Sequence, residues 1–304
     1  MRHAAAAVLR TVPTLLGVSV LVFLIMHAIP GDPAAIAAGL DASPETVAAI
    51  RESLGLNRPL HEQFGAFLSR TLRGDFGVSI RTGRPVIEEV AARMPYTLLL
   101  SVASVVLAAL VGVTAGVVAA VRHQRWLDHV VMTLTLVAVS TPSYWLALML
   151  MLVMAVWLGW LPAIGAATPR HFVLPVLTLG LQSAGEVARM TRATLLDVLG
   201  DEFLRAARAR GVSSRRMLWR HALGNAAVPI ATVLGLRIGG LLAGTVLVES
   251  VFAIPGLGRM MVDAVVARDF PMIQGGVLVV ATSYVLINAA TDVLAARLDP
   301  RLRT

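Results

Sequence analysis

The apolar positions of this 304-residue chain fall into long unbroken runs rather than one-sided stripes. Runs of that length predict helices that cross a membrane. The first covers residues 8–29 and is stopped by Pro30-Gly31-Asp32-Pro33. It exceeds the apolar core of a secretion signal and no small-residue cleavage site follows, so it is expected to remain as a first span. A polar interval, residues 30–94, comes next. Within it Ser43-Pro44, Pro59 and Pro85 each open a short helix, and Gly55 and Gly74 close the first two. This predicts a small, mostly helical domain outside the membrane. Five further spans are expected over 95–121, 129–158, 172–199, 228–248 and 272–296. Pro95 opens the second, Pro142 kinks the third, and Trp157 and Trp160 mark its interface. Between the last two, FAIPGLGRM (252–260) reads as a tight re-entrant loop.

The pattern is broken most sharply at residues 201–229, DEFLRAARARGVSSRRMLWRHALGNAAVP. Here two short helices are predicted, parted at Gly211. In the first, Phe203, Ala206, Ala207 and Arg210 recur at helical spacing and give a small-residue face beside Arg205 and Arg208. Gly211 suits the left-handed residue that ends a helix, and Ser213 suits the cap of the next, which carries Arg216. Small residues let a helix sit deep in a partner's groove. A basic loop that only fixes topology or meets anionic lipid accounts for the same pattern.

Composition then narrows the class. The chain is 57% hydrophobic with a mean hydropathy of +0.77, which points to a polytopic all-α membrane protein. It has no cysteine, and all 26 basic residues are arginine. Without lysine there is no P-loop ending in Gly-Lys-Ser/Thr, so any ATP would be hydrolysed on another chain. Schiff-base chemistry is excluded as well. The seven histidines show no metal-ligand spacing, so no metal or other cofactor is expected. With the N-terminus inside, the inner segments collect 15 arginines and the short outer loops three, Arg170, Arg259 and Arg268. The positive-inside rule therefore puts both termini and the 201–229 loop in the cytoplasm and the 30–94 domain outside.

Charges within the spans are the second candidate site, because such residues face protein or water. Glu186 lies about 21 Å along the fourth span, with Arg189 one turn on and able to pair with it. Arg237 lies about 12 Å into the fifth. It is expected to line a pathway, to pair with Glu186, or to meet a partner subunit.

The segment RATLLDVLGDEFLRAARARGVSSRRMLWRHALGNAAVPI resembles the EAA loop of ABC importer permeases, in particular the B-type permease of dipeptide, oligopeptide and nickel importers. Ala206, Ala207, Gly211 and Pro229 match the motif, and Arg205 stands where its wider form has Glu. The likeness continues along the chain through LGLNRPL (54–60), GDFGVSI (74–80), STPSYWLAL (140–148), RMTRA (189–193), VESVFAIPGLGRMMVDAVVARDFPMIQG (248–275) and LDPR (298–301). Arg237 departs from a position where the branch often has Gln. The resemblance implies a six-span type I importer permease fold in the bacterial inner membrane. It also implies a second permease as partner, two ATPase subunits holding ATP and Mg, and an extracytoplasmic substrate-binding protein. Arg205, Ala206, Ala207, Arg208, Arg210, Gly211, Ser213 and Arg216 are then expected at the ATPase contact, and a peptide is the expected substrate. Lipid surrounds such a chain, and nothing points to nucleic acid or to catalysis by the chain itself. A self-sufficient secondary transporter or channel would explain the spans and their charges, but not this order of motifs.

Overall fold

A computed structural model of the chain describes residues 2–28, 32–39, 42–53, 55–213 and 216–298, with the side chains of 2–10, 28, 33, 36, 37, 53, 205–208 and 296–298 outside the description. Every regular element among these residues is helical, apart from one isolated bridge between Val78 and Pro85. In chain order they are α1 (Arg2–Ala28), α2 (Pro33–Ala38), α3 (Pro44–Ser53), α4 (Leu60–Leu72), α5 (Val86–Val121), α6 (Trp126–Ser140), α7 (Ser143–Trp157), α8 (Val173–Gly200), α9 (Glu202–Ala209), α10 (Met217–Gly244), α11 (Val246–Val251), α12 (Leu257–Val266) and α13 (Phe270–Leu298). α7 and α10 include wider π turns, at Met151–Trp157 and Met217–Ala222. Among the described residues three helices, within α5, α10 and α13, are long and apolar enough to cross a membrane, and α6 with α7 makes a fourth if the bent pair is one span. Thr11–His27 of α1 is a shorter apolar helix. α8 has the length, at 28 residues, but carries Gln182, Glu186, Arg189 and Arg192.

α5 and α8 form the centre. In lipid, apolar helices gain little by hiding from water, so close approach decides association. Gly112 and Gly116, one turn apart on α5, lie against the backbone of α8: an added Cβ would stand 2.7 Å from the Ala184 carbonyl oxygen and 2.6 Å from that of Ala188. α8 answers with Gly180 against Leu107 of α5, and it meets α6 through Gly185, whose added Cβ would lie 2.9 Å from the Thr135 carbonyl. α10 and α13 meet in the same way, through Gly235 against Thr291 and Gly239 against Asn288 and Tyr284. α1 lies along α13, with Phe23, Phe67 of α4 and Leu278 buried together.

Several boundaries differ from those expected. Residues 86–94 are not a separate helix: they continue into the second span as one 36-residue helix with Pro95 inside it. The first turns of α5 are held by a buried cluster of Val86, Val90, Leu257, Met260 and Met272, and this packing outweighs the proline. The third run is more than kinked. α6 and α7 meet at 102° across Thr141-Pro142. The freed Thr141 carbonyl accepts from Gln182 Nε2 at 3.0 Å. The fifth run starts earlier than 228, at Met217, and its last residues fold into the separate α11 after Gly244. The 252–260 segment is a loop only as far as Gly256; its last residues, from Leu257, belong to a full helix, α12. Trp157 and Trp160 are exposed.

Candidate functional site

At one end of the α5–α8 pair lies the basic loop. α9 is an eight-residue helix anchored by Leu204, which is 2% exposed. Leu204 packs with Ala120 at the end of α5, Leu195 of α8, and Met217, Ala222, Ala226 and Ile230 of α10. One apolar cluster thus ties the short helix to three long ones. Gly211 has φ +81°, the left-handed residue expected there, and an added Cβ would meet nothing. Its glycine is required by backbone conformation rather than by space. Ser213 starts the next helix through its backbone, its carbonyl accepting from Met217 N at 2.9 Å. Arg210, Ser213 and Arg216 are exposed, as are the large apolar side chains Phe203 and Trp219. The side chains of Arg205, Ala206, Ala207 and Arg208 lie outside the described residues.

Within the bundle, Glu186 of α8 and Arg237 of α10 form an ion pair with side chains 28% and 38% exposed. The pairing with Glu186 expected for Arg237 is thus present. Arg189 takes no part in it and is exposed one turn further along α8. Gln182, one turn before Glu186, is the residue that holds the broken backbone at Thr141.

Three carboxylates that sequence reasoning passed over fix the loops. Asp128, in the first turn of α6, receives Arg192 of α8 in fork geometry, Nε to Oδ1 at 2.6 Å and Nη2 to Oδ2 at 2.7 Å. Gln124 N adds a bond at 3.0 Å, with Gln124 at φ 60°. This clamp pins the α5–α6 turn onto α8, at the same end as the basic loop. At the opposite end Glu249 is fully buried. Its Oε1 accepts from Thr97 of α5 at 2.7 Å and Thr245 at 2.8 Å, and Oε2 accepts from Arg259 N at 3.0 Å. A Cβ on Gly256 would fall 2.3 Å from the Glu249 carboxyl carbon, so the turn closes over the carboxylate only because glycine is there. Asp269 is 2% exposed and holds Ser79 Oγ, Ile80 N and Arg81 N on one side and Met272 N on the other. The GDFGVSI segment is thereby fixed to the start of α13. The signal for the glycine pair was present as Gly-x-x-x-Gly at 112–116. The three carboxylates had no such signal, since the side chains they tie in from other elements, Arg192, Thr97 and Ser79, are 64 to 190 residues distant.

The profile of the family described as "Binding-protein-dependent transport system inner membrane component" matches residues 112–304, and that of its N-terminal region matches residues 1–101. The chain belongs to this family. It is the membrane permease subunit of an ABC importer, a multi-pass protein of the inner membrane. Among its relatives is the "Glutathione transport system permease protein GsiC" of Salmonella typhi, 45% identical over 303 residues, covering 100% of this chain and 99% of the relative. The protein of that name from Escherichia coli (strain K12) is 44% identical over the same length. Solved structures show the fold. The inward-facing MetNI methionine ABC transporter aligns with a TM-score of 0.60 at 20% identity, covering 69% of this chain and 96% of that one. An amino acid ABC transporter with histidines aligns with a TM-score of 0.53 at 20% identity, covering 71% of this chain and 94% of the other.

Proposed function

We propose that this permease forms half of the pathway by which an ATP-driven importer takes short peptides into the cell. Six spans, with α8 among them, would leave both termini and the 201–229 loop in the cytoplasm and residues 30–94 outside. A second permease completes the pathway, two ATPase subunits engage the cytoplasmic loops, and a binding protein delivers the substrate from outside. Glutathione, the substrate in the relatives' names, is itself a tripeptide and fits this class.

The observation that carries the reading is the seating of α9. Its Leu204 is buried among residues of α5, α8 and α10, while Phe203, Arg210, Arg216 and Trp219 stay exposed. A partner that grips the exposed side and moves it would move three long helices with it. Closure of an ATPase pair would thus swing the pathway between inward- and outward-facing forms. The test is uptake of a radiolabelled dipeptide into liposomes holding both permeases and the ATPases, with loaded binding protein outside and ATP inside. Uptake should require ATP. Gly211→Pro, which imposes a negative φ where +81° is needed, should abolish uptake while the chain still inserts. Normal ATP-linked uptake by this variant would refute the coupling role. Uptake by this chain alone, without ATP, would favour a secondary transporter or channel.

A further inference from the structure

We infer that the Glu186–Arg237 pair is a charge-exchange station for the substrate, selecting solutes that carry both a carboxylate and an ammonium group. The inference rests on the importer reading and assigns to this pair a direct contact with the passing solute.

Three observations converge on it. The pair is partly exposed on both sides, 28% for Glu186 and 38% for Arg237; a purely architectural ion pair in lipid would be closed off, because charge there faces protein or water. The α6–α7 backbone is broken one turn away along α8: Gln182, one turn before Glu186, binds the Thr141 carbonyl where α6 and α7 part at 102°. Interrupted backbone within a membrane occurs where it is buried in protein or lines a watery cavity. Arg189, exposed and outside the pair, leaves this face with a net positive charge.

The selection follows from what breaking the pair costs. A solute with one charge that takes either residue strands the other, and an uncompensated charge in this setting is strongly unfavourable. A zwitterion replaces both partners at once, its carboxylate on Arg237 and its ammonium on Glu186. Two ion pairs form where one was lost. Arg189, a turn away, offers the carboxylate its next position. A peptide with free termini meets this requirement, and its C-terminal amide does not.

The experiment uses the complete reconstituted transporter with saturating loaded binding protein, comparing a dipeptide with its C-terminal amide and correcting each for occupancy of the binding protein. Arg237→Gln and Glu186→Gln should each lower the maximal uptake rate of the free dipeptide by about tenfold or more, the scale of a lost charged hydrogen bond. Their effect on the amide should be smaller for Arg237→Gln. If Arg237→Gln does not assemble, Arg237→Lys keeps the charge and should retain most of the discrimination. Wild-type uptake in both single variants, or an equal loss for the free dipeptide and its amide in Arg237→Gln, would overturn the inference and leave the importer reading intact. Absence of ATP-driven uptake in the wild type would instead overturn the importer reading, and this inference with it.

Discussion

Replacing Gly112 or Gly116 by alanine adds one carbon where α5 and α8 leave no room for it. At Gly112 the new Cβ would stand 2.7 Å from the Ala184 carbonyl oxygen and 2.8 Å from Val187 Cβ. At Gly116 it would stand 2.6 Å from both the Ala188 carbonyl oxygen and Thr191 Cβ. Ordinary contact begins at 3.4 Å, so each carbonyl is too near by roughly 0.7–0.8 Å. Neither oxygen can turn away, since both belong to the hydrogen-bond ladder of α8. The helices must separate or α8 must bend, and overpacking of this kind costs about 1–3 kcal/mol. A separation that accommodates one methyl largely accommodates the other, one turn along the same seam. The double variant should therefore lose less than the sum of the singles. Gly65→Ala is the control: it lies in α4 with nothing within 4 Å of the added Cβ, and helix preference should stabilise it by up to about 1 kcal/mol. The assay is thermal loss of the assembled transporter in detergent, followed by size-exclusion chromatography. Midpoints should fall for Gly112→Ala and Gly116→Ala, fall further but less than additively for the pair, and hold or rise for Gly65→Ala. Midpoints for the α5 variants that match the Gly65→Ala control, or a strictly additive double, would refute the close-packing argument.

Two further outcomes concern the loop clamps. Asp128→Asn leaves Arg192 without its carboxylate and should cost about 3 kcal/mol locally, read as faster hydrogen exchange over residues 122–128; unchanged exchange there would show that the turn is held by other contacts. Asp269→Ala removes the acceptor shared by Ser79, Ile80, Arg81 and Met272. Exchange over residues 77–84 should rise while the centre of α5 stays protected, and a rise spread evenly along α5 would argue against a local clamp.

The apolar runs made most of the helices legible, and the glycine at 211 could be read from turn chemistry alone. What the runs did not yield is where a run is cut. Periodicity measures length and polarity, whereas the 102° break at Thr141-Pro142 depends on Gln182 being present on a distant helix to satisfy the freed carbonyl. Pro95 shows the reverse. A proline that reads as a helix start lies inside α5, because Val86 and Val90 are fixed by Leu257 and Met272 from the far end of the chain. The same limit applies to the site. Glu186 and Arg237 stand out as charges in apolar sequence, yet Arg189 is the nearer partner in sequence, and only the packing of α10 on α8 selects Arg237.

The placement of contacts along α8 bears on how movement at the basic loop reaches the charged pair. Leu195, near its end, packs in the cluster that holds Leu204 of α9. Arg192 takes the α5–α6 clamp. Ala184 and Ala188 meet α5 at backbone distance, Glu186 holds α10, and Gln182 holds the broken backbone. These attachments lie on one uninterrupted helix, Val173–Gly200, and Leu195 is separated from Glu186 by a rise of about 14 Å. No loop intervenes to absorb a displacement, so a shift of α9 must appear at Glu186 unless α8 itself bends. The seam with α5 is too tight for either helix to slide without the other. The α10 contact is mixed: Leu195 shares an apolar cluster with Ala226 and Ile230, and Glu186 pairs with the partly exposed Arg237. Parting α8 from α10 must therefore break that pair as well as apolar contacts, and under the proposed exchange a zwitterionic solute that satisfies both charges lowers the cost of the first.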